Sequence, residues 1–155
     1  MKLATFQNGA GARLGVVVED EIVDLAVAAP DLPSTMVELL AAGDGALDRA
    51  RAAAGSGSGR LALSGVKLLA PIPNPSKFLA IGLNYLAHAA EAGRTELPET
   101  PTVFAKMASC IAGPYDEIQV PIASDQVDYE GEPGIVIGRR CRHVSRDDAA
   151  SVIAG

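Results

Sequence analysis

The chain has 155 residues, enough for one ordinary domain or two small ones, and a formal net charge of −6 that argues against nucleic acid or an anionic membrane as a partner. Hydrophobic residues make up 48% of it, but aromatics only 4% with no tryptophan, so a core must be built from small side chains. No run approaches the roughly 18 apolar residues of a membrane span, and the start of the chain turns polar before a signal peptide can develop, so a soluble cytoplasmic protein is expected.

Residues 3–6, 13–19 and 21–25 read as short strands, with Asn8-Gly9 and Glu19-Asp20 at the tight turns between them. Ser34 is the expected N-cap of a helix with Met36, Leu39 and Leu40 on one face and Gly43 as its stop. Asp44 is expected to cap a second helix that ends at Gly55. The tract Gly55-Ser56-Gly57-Ser58-Gly59 then has the composition of a flexible connection, with residues 66–72 leading into a second unit.

That second unit opens with an apolar run of strand length at 77–82. Asn84 is expected to cap a short helix over 85–91, closed by Gly93. A loop punctuated by Pro98 and Pro101 leads to a further strand over 102–106. A turn at Gly113-Pro114 and the stretch 117–121 precede an extended acidic segment from Asp128. Ser145 and Asp148 form a capping box for a last helix. Cys110 and Cys141 have no paired-motif spacing and read as reduced packing residues. Arg139, Arg140 and Arg142 make a short basic patch that reads as a solvated turn.

Three groups of residues could carry chemistry. Strand side chains alternate faces, so Asp128, Glu130 and Glu132 would project to one side of an extended segment. Carboxylates converging there suit a hard cation such as Mg²⁺, Mn²⁺ or Ca²⁺. The alternative is a solvated acidic edge leading into the apolar run 135–137. His88 and Glu91 are neighbours on one helix face, three residues apart, where a carboxylate can orient an imidazole for general-base work. A surface His–Glu pair is the competing reading. Lys106 ends an apolar strand, where it could neutralise a bound carboxylate or simply reach solvent. Arg94, beyond the His–Glu helix, could likewise meet a carboxylate or be a solvated charge.

Taken in order, these pieces resemble one family. Ile81-Gly82-Leu83-Asn84-Tyr85-Leu86-Ala87-His88-Ala89-Ala90-Glu91 is followed by Pro101-Thr102-Val103-Phe104-Ala105-Lys106. Ala112-Gly113-Pro114, Pro121, Asp128-Tyr129-Glu130-Gly131-Glu132 and Val136-Ile137-Gly138 then complete the series. It closely resembles the catalytic domain of the fumarylacetoacetate hydrolase family. The resemblance implies an α+β, mostly β chain. Residues 1–70 would be a small β-rich N-terminal module with two short helices, and 71–155 the first part of a mixed β-roll catalytic domain. It further implies a divalent cation, Mg²⁺ or Mn²⁺, held by Glu130, Glu132 and a later aspartate. His88 and Glu91 would be the catalytic His–Glu pair, Lys106 the lysine of an F-x-K motif, and the complete protein a homodimer.

The implied chemistry is metal-dependent hydrolysis or lysis of small 2-oxo acids, such as C–C cleavage of acylpyruvates or β-diketo acids, or related decarboxylation or isomerisation, through a metal-stabilised enolate. Aromatic-compound catabolism is the expected setting. Two departures stand beside the match. The family's third ligand lies beyond Gly155, which reads as a truncated reading frame or as a remainder supplied by another chain. Pro133-Gly134 replaces small or aliphatic residues, so the acidic strand must be an edge, an end or a bulge there. The rival reading is a non-catalytic fragment or assembly module without a complete metal site. A simple calcium-binding or acidic surface protein is weaker still, because no D-x-[DN]-x-[DN]-G loop is present.

Overall fold

The computed structural model describes residues 1–155 except Ala10, Thr95 and Leu97. Two compact units emerge, one formed by Met1–Ile72 with Ala112–Gly155 and the other by Pro73–Ile111.

In the first unit, β1 (Lys2–Asn8), β2 (Gly11–Val18) and β3 (Glu21–Asp24) form an antiparallel meander. The period-2 alternation that marks these strands also sorts their faces. The register sets Val16 opposite Leu3 and Val23, and Leu14 opposite Thr5, on one face; Phe6, Gly15 and Ile22 belong to the other. Glu19 takes the β2–β3 turn at φ 56°, a left-handed conformation that costs a residue with a Cβ more than it costs glycine.

Onto the first face pack α1 (Leu25–Ala28), α2 (Met36–Ala41) and α3 (Asp44–Ala54), and their cluster includes Leu14, Val16, Leu25, Met36 and Leu39. In α3 the buried residues are Ala46, Ala50 and Ala53, spaced one turn apart, and such small side chains let helix and sheet approach closely. Thr35, rather than Ser34, is the N-cap of α2: its Oγ1 accepts from the Glu38 amide at 3.3 Å and donates to Glu38 Oε2 at 2.8 Å. Gly43, at φ 78°, ends this helix and caps the next.

Three elements differ from the expectation. The third strand stops at Asp24, whose Oδ1 accepts the Ala26 amide at 2.9 Å and so starts α1 where residue 25 reads as strand. The glycine-serine tract is a built turn rather than a loose tether. Gly59 sits at φ 69°, its carbonyl accepts the Asp24 amide at 2.8 Å, and a Cβ there would lie 2.9 Å from the Asp24 carbonyl. That turn delivers β4 (Arg60–Ala62) to β3, while β5 (Lys67–Leu68) pairs with β1, giving the sheet order β4-β3-β2-β1-β5.

Within the same unit the segment after Ala112 is tied to β5 by an ion pair. Lys67 Nζ lies 2.6 Å from Asp116 Oδ1, and Asp116 Oδ2 accepts the Gly113 amide at 2.8 Å. The Lys67 hydrogen bond, then the Gly113 amide, hold the Asp116 carboxyl below its ordinary value of 3.8. A folded-state value below the unfolded one gives stability that is present above pH 3.8 and lost as pH falls through the folded value. Lys67→Ala is expected to move the Asp116 titration, followed by carboxyl NMR, upward toward its ordinary range; an unmoved titration would mean that the ion pair does not form in solution.

Farther along, Val136 and Gly138 exchange backbone bonds with the 152–155 segment at 2.7–2.8 Å around the bridge Ile137–Ile153. Ser145 and Asp148 do form their capping box, with Ser145 Oγ accepting the Asp148 amide at 3.1 Å. The turn that follows is only a 3-10 helix, Ala149–Val152, because the next residues are taken by this bridge.

The second unit is a hairpin-like pair, β6 (Leu79–Gly82) and β7 (Thr102–Ala105), with α4 (Leu86–Glu91) between them in sequence. Leu79, Ile81 and Val103 share one face of this two-stranded sheet and are 55%, 40% and 54% exposed. Among the described residues, no helix is long and apolar enough to cross a membrane.

Candidate active-site residues

His88 and Glu91 lie on α4, three residues apart, which places them on one helical face. The chain leaves β6 through Leu83, held at φ 53° in the left-handed region, and this single residue turns strand into helix. Tyr85, not Asn84, occupies the N-cap, with no side-chain capping bond. The helix closes as expected at Gly93, φ 69°, where the Gly93 amide reaches the Ala90 carbonyl at 3.0 Å and the Arg94 amide reaches that of Ala89 at 2.8 Å. Ala89 is the buried anchor of this helix at 2% exposure, whereas His88 and Glu91 are both exposed.

Lys106 follows β7 directly, and its amide donates to the Phe78 carbonyl at 2.8 Å, which fixes its backbone against the strand preceding β6. Its ammonium sits 5.9 Å from the centre of the Phe104 ring. The contact steers a long flexible chain without burying its charge, so the lysine stays available to an anion.

Glu130 and Glu132 belong to the other unit, on a stretch that is exposed throughout. The expected acidic strand does not form: residues 125–136 hold no strand. Pro133 lacks an amide hydrogen, and a strand persists only within a ladder of backbone bonds, so the chain regains pairing only at Val136. Asp128 turns its carboxylate back on the next residue, its Oδ1 accepting the Tyr129 amide at 2.8 Å. The two glutamates offer hard oxygen donors, the right chemistry for Mg²⁺, Mn²⁺ or Ca²⁺. Among the described residues, no group of three or more His, Cys, Asp or Glu is placed to hold a metal ion, so the donor set is partial. Cys110 and Cys141 are exposed rather than packed, which corrects the expectation for both; each falls among short turns with no core to receive it.

Motif order, not local spacing, is the signal that joins these residues. The family model for the fumarylacetoacetate (FAA) hydrolase C-terminal region matches residues 77–155, just over half of the chain and inclusive of all five side chains. Over its full length the chain is 38% identical to the mitochondrial oxaloacetate tautomerase fahd2 of Xenopus laevis, covering 50% of that protein. It is 37% identical to a fumarylacetoacetate hydrolase domain-containing protein 2 homolog of Dictyostelium discoideum, covering 52%. Among solved structures, maleylpyruvate hydrolase from Sphingobium sp. SYK-6, in complex with manganese(II) and pyruvate, superposes with a TM-score of 0.74 at 31% identity, over 100% of this chain and 56% of that one. Fumarylacetoacetate hydrolase from Exiguobacterium antarcticum gives 0.77 at 29% identity, over 100% of this chain and 53% of that one. The chain thus spans about half the length of the curated relatives it matches.

Proposed function

Because the chain belongs to the fumarylacetoacetate hydrolase family, with its α+β, mostly β fold of an N-terminal module and the first part of the β-roll catalytic domain, we propose that it serves a metal-dependent hydrolase or isomerase of small 2-oxo acids. The observation that carries this reading is the family match over 77–155, which contains His88, Glu91, Lys106, Glu130 and Glu132 in order. The relatives bracket the chemistry: oxaloacetate tautomerisation moves a proton next to a keto group, and maleylpyruvate hydrolysis breaks a C–C bond beside one.

In this reading Glu130 and Glu132 hold the cation, with Mn²⁺ favoured by the manganese bound to the Sphingobium enzyme and Mg²⁺ the alternative. The bound cation would supply electrophilic stabilisation of negative charge developing on the keto acid oxygens. His88 takes the proton, from water in a hydrolysis or from carbon in a tautomerisation. Glu91, one helical turn on, holds the imidazole in the tautomer that leaves a ring nitrogen free to accept it. Lys106 offsets the charge of the substrate carboxylate. Homodimer formation belongs to the same proposal, supported by the exposed apolar face of Leu79, Ile81 and Val103. A reducing compartment, the cytoplasm or a mitochondrial interior, fits the free thiols of Cys110 and Cys141.

The partial donor set favours a second reading, a binding or assembly module without a complete metal site. Calorimetric titration of the purified chain with Mn²⁺, with and without oxalate as a 2-oxo acid mimic, separates the two. Dissociation constants in the micromolar range, about −8 kcal/mol, tightened by oxalate, are expected of the catalytic reading. Binding no tighter than millimolar in both titrations would support the second.

A further inference from the structure

The first unit carries a cavity of about 320 Å³ whose lining includes Arg13, Asp24, Val27, Gly59, Arg60 and Leu61. None of the proposed catalytic residues takes part in it. Sites for small ligands begin at roughly 300 Å³, so this one suits a compact molecule.

Its two arginines are held in place by groups of the fold itself. Arg13 Nη1 donates to Asp24 Oδ2 at 2.5 Å, and Asp24, 2% exposed, spends its other oxygen on the Ala26 amide. Arg60 Nη1 pairs with Glu21 Oε2 at 2.5 Å, and its Nη2 donates to the Ala54 carbonyl at 3.1 Å. A guanidinium has five N–H donors, and among the described residues these bonds use one on Arg13 and two on Arg60. Donors therefore remain on two pre-positioned cations, and the lining counts two arginines against the single carboxylate of Asp24. Val27 and Leu61 add an apolar surface beside them.

We infer that this cavity is a binding site for a small organic carboxylate, its carboxylate on Arg13 and Arg60 and its carbon chain on Val27 and Leu61. The site lies in the N-terminal module and stands independently of the catalytic reading.

Butyrate is a suitable probe because it lacks the 2-oxo group that a metal site would chelate. Titrated with EDTA present into ¹⁵N-labelled chain, it is expected to give saturable shifts at the Gly57, Gly59 and Leu61 amides and at the Arg13 and Arg60 Nε–H groups. Dissociation constants of about a few millimolar are expected, with inorganic phosphate weaker because it gains nothing from the apolar wall. Arg60→Gln should weaken butyrate binding by about ten-fold, the loss of one charge-assisted contact. Glu21→Gln removes Arg60's partner but not its guanidinium, and should leave the affinity equal or tighter. Unmoved lining resonances, unchanged affinity in Arg60→Gln, equal losses in both variants, or phosphate binding as tight as butyrate would each overturn the assignment.

Discussion

Replacing either Glu130 or Glu132 by alanine is expected to remove metal-dependent turnover of a 2-oxo acid while leaving the fold in place. Loss of groups that merely support a metal ligand costs about 10–100-fold, and loss of a ligand itself should reach or exceed the upper end. Both side chains are exposed, so the unfolding midpoint should hold to within about 0.5 kcal/mol. The two effects must therefore separate: kinetics collapse while the urea melt does not move. His88→Gln should behave differently, leaving Mn²⁺ affinity intact and lowering turnover alone, since its proposed work is proton transfer. If Glu130→Ala and Glu132→Ala both retained full turnover, the assignment of the metal site would be wrong.

These residues are legible in the sequence because their chemistry is written in residue type and order. An imidazole and a carboxylate three apart, an F-x-K lysine and an E-x-E pair occur in the same succession as in the family. The meander is legible for a physical reason too: β1 to β3 alternate with period 2 and turn at residues suited to tight turns, so local pattern and tertiary packing agree. The strands β4 and β5 escape because three and two residues cannot display a period. Residues 128–132 mislead in the opposite direction. Alternating acids look like a strand, but a ladder needs a second chain segment, and sequence pattern is silent on whether one is adjacent. Asp24 is hidden in the same way: its charge reads as a strand end, while its role as helix cap and arginine partner depends on β2 lying beside it. No spacing rule reaches the third metal donor, since ligands gathered from distant segments leave no local trace.

The largest effect on stability is expected on the sheet face away from the helices, at Gly15. A Cβ built there would lie 2.5 Å from Ile22 Cγ1, 2.7 Å from Ile22 Cδ1 and 3.1 Å from Phe6 Cε1. Ile22 and Phe6 are both fully buried, so neither has solvent to move into. Gly15→Ala should cost about 1–3 kcal/mol by overpacking, although alanine is otherwise harmless in a strand. Ile22→Ala should cost about 2–5 kcal/mol through lost burial and the cavity left behind. The double variant is the informative one. Alanine at 22 has neither Cγ1 nor Cδ1, the two atoms that a Cβ at 15 would meet first, and the added methyl would partly fill the space that isoleucine vacates. The double variant should thus be more stable than the sum of the single losses predicts, by about 1–2 kcal/mol of coupling. Urea unfolding of the four proteins, followed by circular dichroism, reads that difference. Simple additivity would mean that Gly15 is held by backbone conformation rather than by the packing of Ile22 over it. Such an outcome would be hard to reconcile with Gly15 lying in a regular antiparallel register opposite Ala4 and Asp24, where any residue can adopt the strand backbone. The glycine is therefore best explained by the side chains that cross it: in a core with few aromatics, Phe6 and Ile22 reach full burial by closing over a position that has no side chain of its own.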